Sequence, residues 1–167
     1  ERDIQLATLA GATEVWMPEY EEIYPDEIKK LSAGPLGTLY EGHSRPDHFD
    51  GVVTVVNRLF EIVKPQMAVF GEKDFQQLTI IKGMKGSVEI IGVPTVREFD
   101  GLALSSRNVR LSEEGRVSAN VIQRALAAAH LAPSIVIAQE ILDSTLATEA
   151  GFKKDYAAII DEDSFEL

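Results

Sequence analysis

The reading of this fold turns on one stretch, Gln66-Met67-Ala68-Val69-Phe70-Gly71-Glu72-Lys73-Asp74-Phe75-Gln76-Gln77. Met67 to Phe70 is an unbroken apolar run, the pattern of a short strand buried in a parallel sheet. Gly71 is expected to break that strand, and Asp74–Met84 then reads as a helix. Upstream, Val52, Val55, Val56, Leu59, Phe60 and Val63 recur at three- and four-residue spacing, so Phe49–Val63 is an amphipathic helix ended by Lys64-Pro65. Downstream, Val88–Val93 is a second buried strand, stopped by Pro94. Short apolar strands alternating with helices predict βαβ units, a parallel sheet and an α/β fold.

Further out the signals weaken. Residues 1–10 read as a helix capped by Gly11, and Thr13–Met17 as a short β-prone run before Pro18. Residues 28–47, rich in Gly, Pro and Ser, read as loop with one candidate strand near Leu39. Thr95–Asn108 is a polar connection, Ser112–Leu131 and Ser134–Ala150 predict two helices, and Tyr156–Ile160 predicts a strand. A domain boundary is placed near Thr95–Arg97, dividing the chain into residues 1–96 and 97–167.

The 167 residues are 45% hydrophobic and 26% charged, ordinary for a globular chain. The net charge of −11 argues against nucleic-acid binding, which relies on cations neutralising phosphates, but it permits a local cluster of cations around a small anion. With no cysteine, disulfides, thiolate metal sites and a cysteine nucleophile are excluded. No apolar run is long enough for a membrane helix, and the N-terminal residues do not form a signal peptide.

Three segments could carry chemistry. In a doubly wound sheet, ligands bind at the carboxyl ends of strands, which is where Gly71–Gln77 would lie. Gly71 allows a close backbone approach, and Lys73 offers charge to a phosphate or carboxylate. Asp74 could cap the helix, orient Lys73 or help hold a metal. Gln77, one turn after Lys73, could face the same pocket with both donor and acceptor groups. By itself the segment more readily reads as a strand-end turn with a solvated lysine and an Asp N-cap. Leu102–Asn108 carries Ser105, Ser106 and Arg107, hydroxyls and a guanidinium suited to a polyphosphate, though such a sequence is also an ordinary polar loop. In Glu41–Gly51, Arg45 could neutralise an anion, and Asp47 or His48 could cap the following helix. The three histidines show no metal-ligand spacing, and neither a P-loop, a G-x-G-x-x-G nor a G-x-S-x-G sequence is present.

Taken together, EGHSRPDHFDGVVTVVNRLFEIVKPQMAVFGEKDFQQL (Glu41–Leu78) and IIGVPTVREFDGLALSSRNVRLS (Ile90–Ser112) resemble the pantoate–β-alanine ligase family, the pantothenate synthetases. The resemblance implies an α/β fold: an incomplete Rossmann-like nucleotidyltransferase parallel sheet, followed by an incomplete, smaller α+β C-terminal domain. It implies that ATP and pantoate form pantoyl adenylate, and that β-alanine then displaces AMP. ATP as substrate, Mg²⁺, a homodimer and the cytoplasm come with it.

The resemblance also assigns roles. Lys73 matches the lysine on the ATP phosphates, Asp74 its neighbour in the nucleotide site, and Gln77 the glutamine that holds pantoate. Ser105, Ser106 and Arg107 match the phosphate-binding loop. Val96 matches the residue whose backbone meets adenine, and Gly71 lines the same site. Glu41 and Arg45 match a dimer-side or pocket-rim pair, and Asp3 an acidic Mg²⁺-side position. The family's opening P-T-M-G-x-L-H-x-G-H segment is not in this sequence, so we expect the sequence to be part of a longer chain. Two rival readings stand beside the ligase: another nucleotidyltransferase of the same superfamily, and a non-catalytic fragment.

Overall fold

A computed structural model describes residues 1–151, 153–162 and 164–166. Its centre is a two-stranded parallel sheet of β1 (Met67–Gly71) and β2 (Glu89–Val93), in register from Met67 opposite Glu89 to Gly71 opposite Val93. The crossover that such a parallel pair requires is made by a 3₁₀ turn, Glu72–Asp74, and a helix, Phe75–Lys82. The α/β parallel architecture read from the sequence is therefore present.

In chain order the helices are α1 (Arg2–Leu9), α2 (Tyr20–Ile23), α3 (Glu41–Ser44), α4 (His48–Val63), α5 (Phe75–Lys82), α6 (Glu113–Ala119), α7 (Val121–His130) and α8 (Ile135–Leu146). The long helix over 49–63 and the helix after β1 fall where their apolar periods put them. Other expectations are corrected. Thr13–Met17 forms no ladder among the described residues, because no strand lies alongside to take its hydrogen bonds; Val15, Trp16 and Met17 stay exposed. Leu39 caps a 3₁₀ turn (Pro35–Thr38) instead of entering a strand. The predicted helix 112–131 is split into α6 and α7 at Asn120, and α8 stops at Leu146, short of Ala150. Tyr156–Ile160 pairs with no strand among the described residues. The amide of Gln139 on α8 takes that place: its Oε1 accepts from Ile159 N–H at 2.9 Å and its Nε2 donates to the Ala157 carbonyl at 3.0 Å.

The sheet is not buried on both faces. Ala68 and Phe70 are half-buried on the helix side, while Met67 and Val69 remain exposed, since the described helices cover one face only. One hydrophobic cluster joins Phe49 and Val53 of α4 to Ile80 of α5, with Leu31, Ala33 and Leu36 against it. The loop carrying those last three residues rotates the buried face of α4 away from the one read in sequence. Val53 and Thr54 are buried, whereas Val63 is 57% exposed. Thr54 Oγ1 accepts from Leu31 N–H at 2.9 Å, and Asp50 accepts from Ala33 N–H at 2.7 Å, tying the loop down. Gly42 is needed because any Cβ there would strike the carbonyl of Gly37, so α3 lies directly on the 3₁₀ turn. A second cluster, Ala125, Ala129, Ala138 and Leu142, joins α7 to α8 through small residues that let the helices approach closely.

Candidate functional site

The carboxyl end of β1 opens into a cleft of about 550 Å³. This is the position at which a parallel sheet presents ligands. Lys73, Asp74 and Gln77 reach the cleft from the turn and first helical turn after β1. Arg107 reaches it from a 3₁₀ turn, Ser106–Arg110, and Arg45 and His48 from the α3–α4 corner. Two segments far apart in sequence, read separately as ambiguous, thus meet on one cavity.

Gly71 ends β1 as its sequence reading expects, but it is not among the residues that line the cleft. It is the last residue of β1, with φ −77° and ψ 137°, extended backbone that any residue adopts, and a Cβ there would meet nothing. Asp74 sits at the N-cap of α5 but makes no side-chain cap bond, and its carboxylate lies 3.7 Å from Lys73 Nζ. Both groups are largely solvated, so this contact orients the lysine more than it stabilises the fold. Asp47 likewise occupies the N-cap of α4 without capping through its side chain, leaving His48 as the first helical residue.

Arg45 and Glu41 form an ion pair at 2.9 Å on the cleft wall. Among the described residues, no carboxylate pairs with Arg107. Its charge faces the cleft uncompensated, a local cationic spot in a chain of net charge −11. His48 lies between these groups. Burial, then the Arg45 guanidinium and more weakly that of Arg107, hold its pKa below the usual imidazole value, with Glu41 and Asp74 partly opposing. The imidazole is therefore neutral near pH 7, leaving the permanent charges to arginine and lysine.

The remaining expected residues do not line the cleft. Ser105 caps the 3₁₀ turn, its Oγ accepting from Arg107 N–H at 3.2 Å; the hydroxyl proton is still available to donate. Ser106 is the first residue of that turn and is exposed. The carbonyl of Val96 accepts from Leu104 N–H at 2.9 Å in the hairpin behind the turn. Asp3 is exposed in the first turn of α1 and does not line the cleft. No group of three or more His, Cys, Asp or Glu is clustered for a metal among the described residues.

Sequence reasoning passed over the aromatic wall. Tyr40, Phe75, Tyr156 and Phe165 line the cleft, with Phe165 stacked on Phe75 at a ring separation of 5.7 Å and Tyr40 Oη donating to the Phe165 carbonyl at 3.2 Å. Single aromatics scattered over 125 positions carry no local signal. Gln76 gives none either. It is buried, and its Nε2 donates to the carbonyls of Leu36 and Leu39 at 2.8 and 2.9 Å, while its Oε1 is buried without a partner among the described residues.

A family model described as pantoate-beta-alanine ligase matches residues 1–167. The chain belongs to the pantoate–β-alanine ligase family. The pantothenate synthetase of Thermus thermophilus is 48% identical over 170 residues, covering 96% of this chain and 62% of the relative. That of Bacteroides fragilis is 42% identical over 177 residues, covering 99% and 62%. Among solved structures, the Thermus thermophilus pantothenate synthetase superposes with a TM-score of 0.89 at 45% identity, covering 98% of this chain and 63% of that one. The Francisella tularensis pantoate-beta-alanine ligase, complexed with beta-gamma ATP and β-alanine, superposes with a TM-score of 0.69 at 33% identity, covering 86% and 57%. This member of the pantoate–β-alanine ligase family thus spans about 62% of the length of these two curated relatives.

Proposed function

We propose that this chain forms part of an ATP-dependent ligase that condenses pantoate with β-alanine to pantothenate through pantoyl adenylate. The observation that carries the proposal is the convergence of Lys73, Gln77 and Arg107 on one cleft at the carboxyl end of β1. The family membership and the ATP and β-alanine bound by the Francisella tularensis relative support it.

The chemistry follows from charge. A pantoate carboxylate oxygen attacks the α-phosphorus of ATP, the bond to the bridging oxygen breaks, and pyrophosphate leaves. The β-alanine amine then attacks the acyl carbon and AMP departs, with the amine giving up a proton. Both partners of the first step are anions, so the site must supply cations and hold the reactants in line; no protein nucleophile is required. Lys73 and Arg107 would hold the phosphates, and the hydroxyls of Ser105 and Ser106 would donate to their oxygens. Gln77 would hold pantoate, and the Gly71 and Val96 backbones would border the nucleotide. Asp74 is the cleft carboxylate able to share Mg²⁺ with phosphates and water, the usual mode for this cation, and the ion would offset phosphate charge. Asp3 does not line that cleft, so Asp74 is favoured over it for this role.

The same reading divides the chain near Thr95–Arg97 into the nucleotide-binding part and part of a smaller domain. It carries a homodimer and a cytoplasmic location; no helix among the described residues is long and apolar enough to cross a membrane. The test is pyrophosphate release by the full-length protein on adding ATP and Mg²⁺, with and without pantoate. Release that requires pantoate supports the ligase. Release with a different acid or nucleotide partner would favour another nucleotidyltransferase, and none with any substrate would refute the assignment.

A further inference from the structure

The segment that presents Arg107 is not held by its own sequence alone. Residues 96–104 form a small hairpin, with Arg97 bridged to Ala103 and with Glu98 N–H donating to the Leu102 carbonyl at 2.8 Å. Its loop residue Phe99 is fully exposed, so the largest side chain of the hairpin does nothing to anchor it. Leu102 is buried, and the side-chain ties come from α6 and from Asn108. Arg116 Nη2 reaches Glu98 Oε2 at 2.7 Å, and Nε reaches Asp100 Oδ2 at 2.8 Å. The other Glu98 oxygen, Oε1, accepts from Asn108 Nδ2 at 2.8 Å, and the same amide nitrogen donates to the Ala103 carbonyl at 3.1 Å. Asn108 lies next to Arg107 on the 3₁₀ turn.

We infer that Arg116 is a positioning residue: it clamps the two carboxylates of the 96–104 hairpin, and through Glu98 and Asn108 fixes the turn that points Arg107 into the cleft. The inference rests on the ligase reading for what Arg107 then does. Side chains from two different elements occupy both oxygens of Glu98, and the planar guanidinium spans two carboxylates at once. Charge-assisted bonds from such a fork hold geometry as well as charge. The clamp has an electrostatic use too. Left unpaired, Glu98 and Asp100 would place two negative charges behind a turn meant for a polyanion. The hydrogen bond from Arg116, then that from Asn108, hold the Glu98 carboxyl below the usual carboxylate range, so it stays charged and clamped at working pH. At Asp100 burial opposes, but bonds from Leu102 N–H, Arg116 and Asn120 outweigh it in the same direction.

The test uses amide hydrogen exchange and calorimetric binding of MgATP on the whole protein. R116Q is expected to speed exchange over residues 98–108 by roughly tenfold, leaving α7 and α8 unchanged, because those helices pack on a separate core. It is also expected to weaken MgATP binding by about tenfold, with R116K recovering part of the loss through its charge but not its fork. On an R107A background the R116Q effect on binding should fall below about twofold, as expected when one residue acts through the other. Should R116Q fail to fold, N108A cuts the link to the turn while leaving both ion pairs, and the same readouts apply. Unchanged exchange over 98–108, or an R116Q binding loss that persists in full without Arg107, overturns the inference. If the wild-type protein binds no ATP, the ligase reading fails, and the exchange measurement still decides the clamp.

Discussion

Replacing Gln76 by glutamate changes one NH₂ group to an oxygen and puts a titratable group in the most constrained position beside the cleft. Gln76 Nε2 spends both protons on the carbonyls of Leu36 and Leu39, at 2.8 and 2.9 Å. An ionised carboxylate there would face two acceptors with nothing to donate. A protonated carboxyl could keep one of the two bonds. The Q76E side chain is therefore expected to fold in its acid form, with a pKa well above the unfolded value of about 4.3. The sign follows: a carboxyl whose folded pKa is raised contributes fully at low pH, and its contribution is lost as pH rises above the unfolded pKa. Staying protonated costs about 1.4 kcal/mol per pH unit above 4.3, so about 3.7 kcal/mol at pH 7. The lost second bond adds about 1 kcal/mol at every pH. Both carbonyls keep a backbone donor, Leu39 N–H on Leu36 and Gly42 N–H on Leu39, which is why the constant part is no larger. Urea unfolding of Q76E and wild type between pH 5 and 7 should show a stability gap widening by about 2.7 kcal/mol. Q76L, which cannot titrate, should show a gap independent of pH. A flat difference for Q76E would refute the assignment of the two carbonyls as the amide's partners. It would also remove Gln76 as the staple that sets the turn before Tyr40 and Glu41.

Other outcomes follow from the site and the packing. Lys73→Ala should cut the rate of pantoate-dependent pyrophosphate release by more than about tenfold while leaving the far-ultraviolet circular dichroism intact, as expected for a largely solvated cation used on phosphate. An unchanged rate would take Lys73 out of that role. His48, watched by proton NMR, should titrate below its ordinary value of 6.5 in the free protein and move upward on adding ATP, because an anion in the cleft offsets Arg45 and Arg107. Between the two pKa values, protonation favours the unfolded chain, so wild type should lose stability slightly as pH falls below 6.5, and H48Q should lose less. Ser134→Ala should cost about 1 kcal/mol in urea unfolding, since Ser134 Oγ accepts from Ile137 N–H and caps α8.

Legibility varied with the range of the interaction behind each feature. The 3.6-residue period of α4 and the apolar runs of β1 and β2 are local, and all three elements lie where those patterns put them. Thr13–Met17 has the residues of a strand and none of the pairing, because ladder bonds depend on a neighbour that no local window contains. Tyr156–Ile160 departs from its pattern for the same reason, with the Gln139 amide taking the place of a neighbouring strand. The buried face of α4 differs from its apolar stripe because Leu31, Ala33 and Leu36, from a segment that reads as loop, pack on Val53 and its neighbours.

At the site, sequence alone supplied the chemical kit. Lys73, Asp74 and Gln77 follow a strand end, and Ser105, Ser106 and Arg107 sit in a polar loop; those residue types suit phosphate and carboxylate, though each segment alone also fits an ordinary turn or loop. Sequence also tied Gly71–Gln77 to Leu102–Asn108, through a family likeness and not through any physical rule of spacing. Only the tertiary structure decided which of these groups share a cavity: Lys73, Asp74, Gln77 and Arg107 do, while Ser105 shapes the turn behind them. It alone brought in His48 and the aromatic wall, and joined the turn bearing Arg107 to Arg116 through two carboxylates. Local patterns record backbone preference and burial, which act within one element. The placement of a charge is set by hydrogen bonds between elements, and nothing in the local sequence marks which partner each will find.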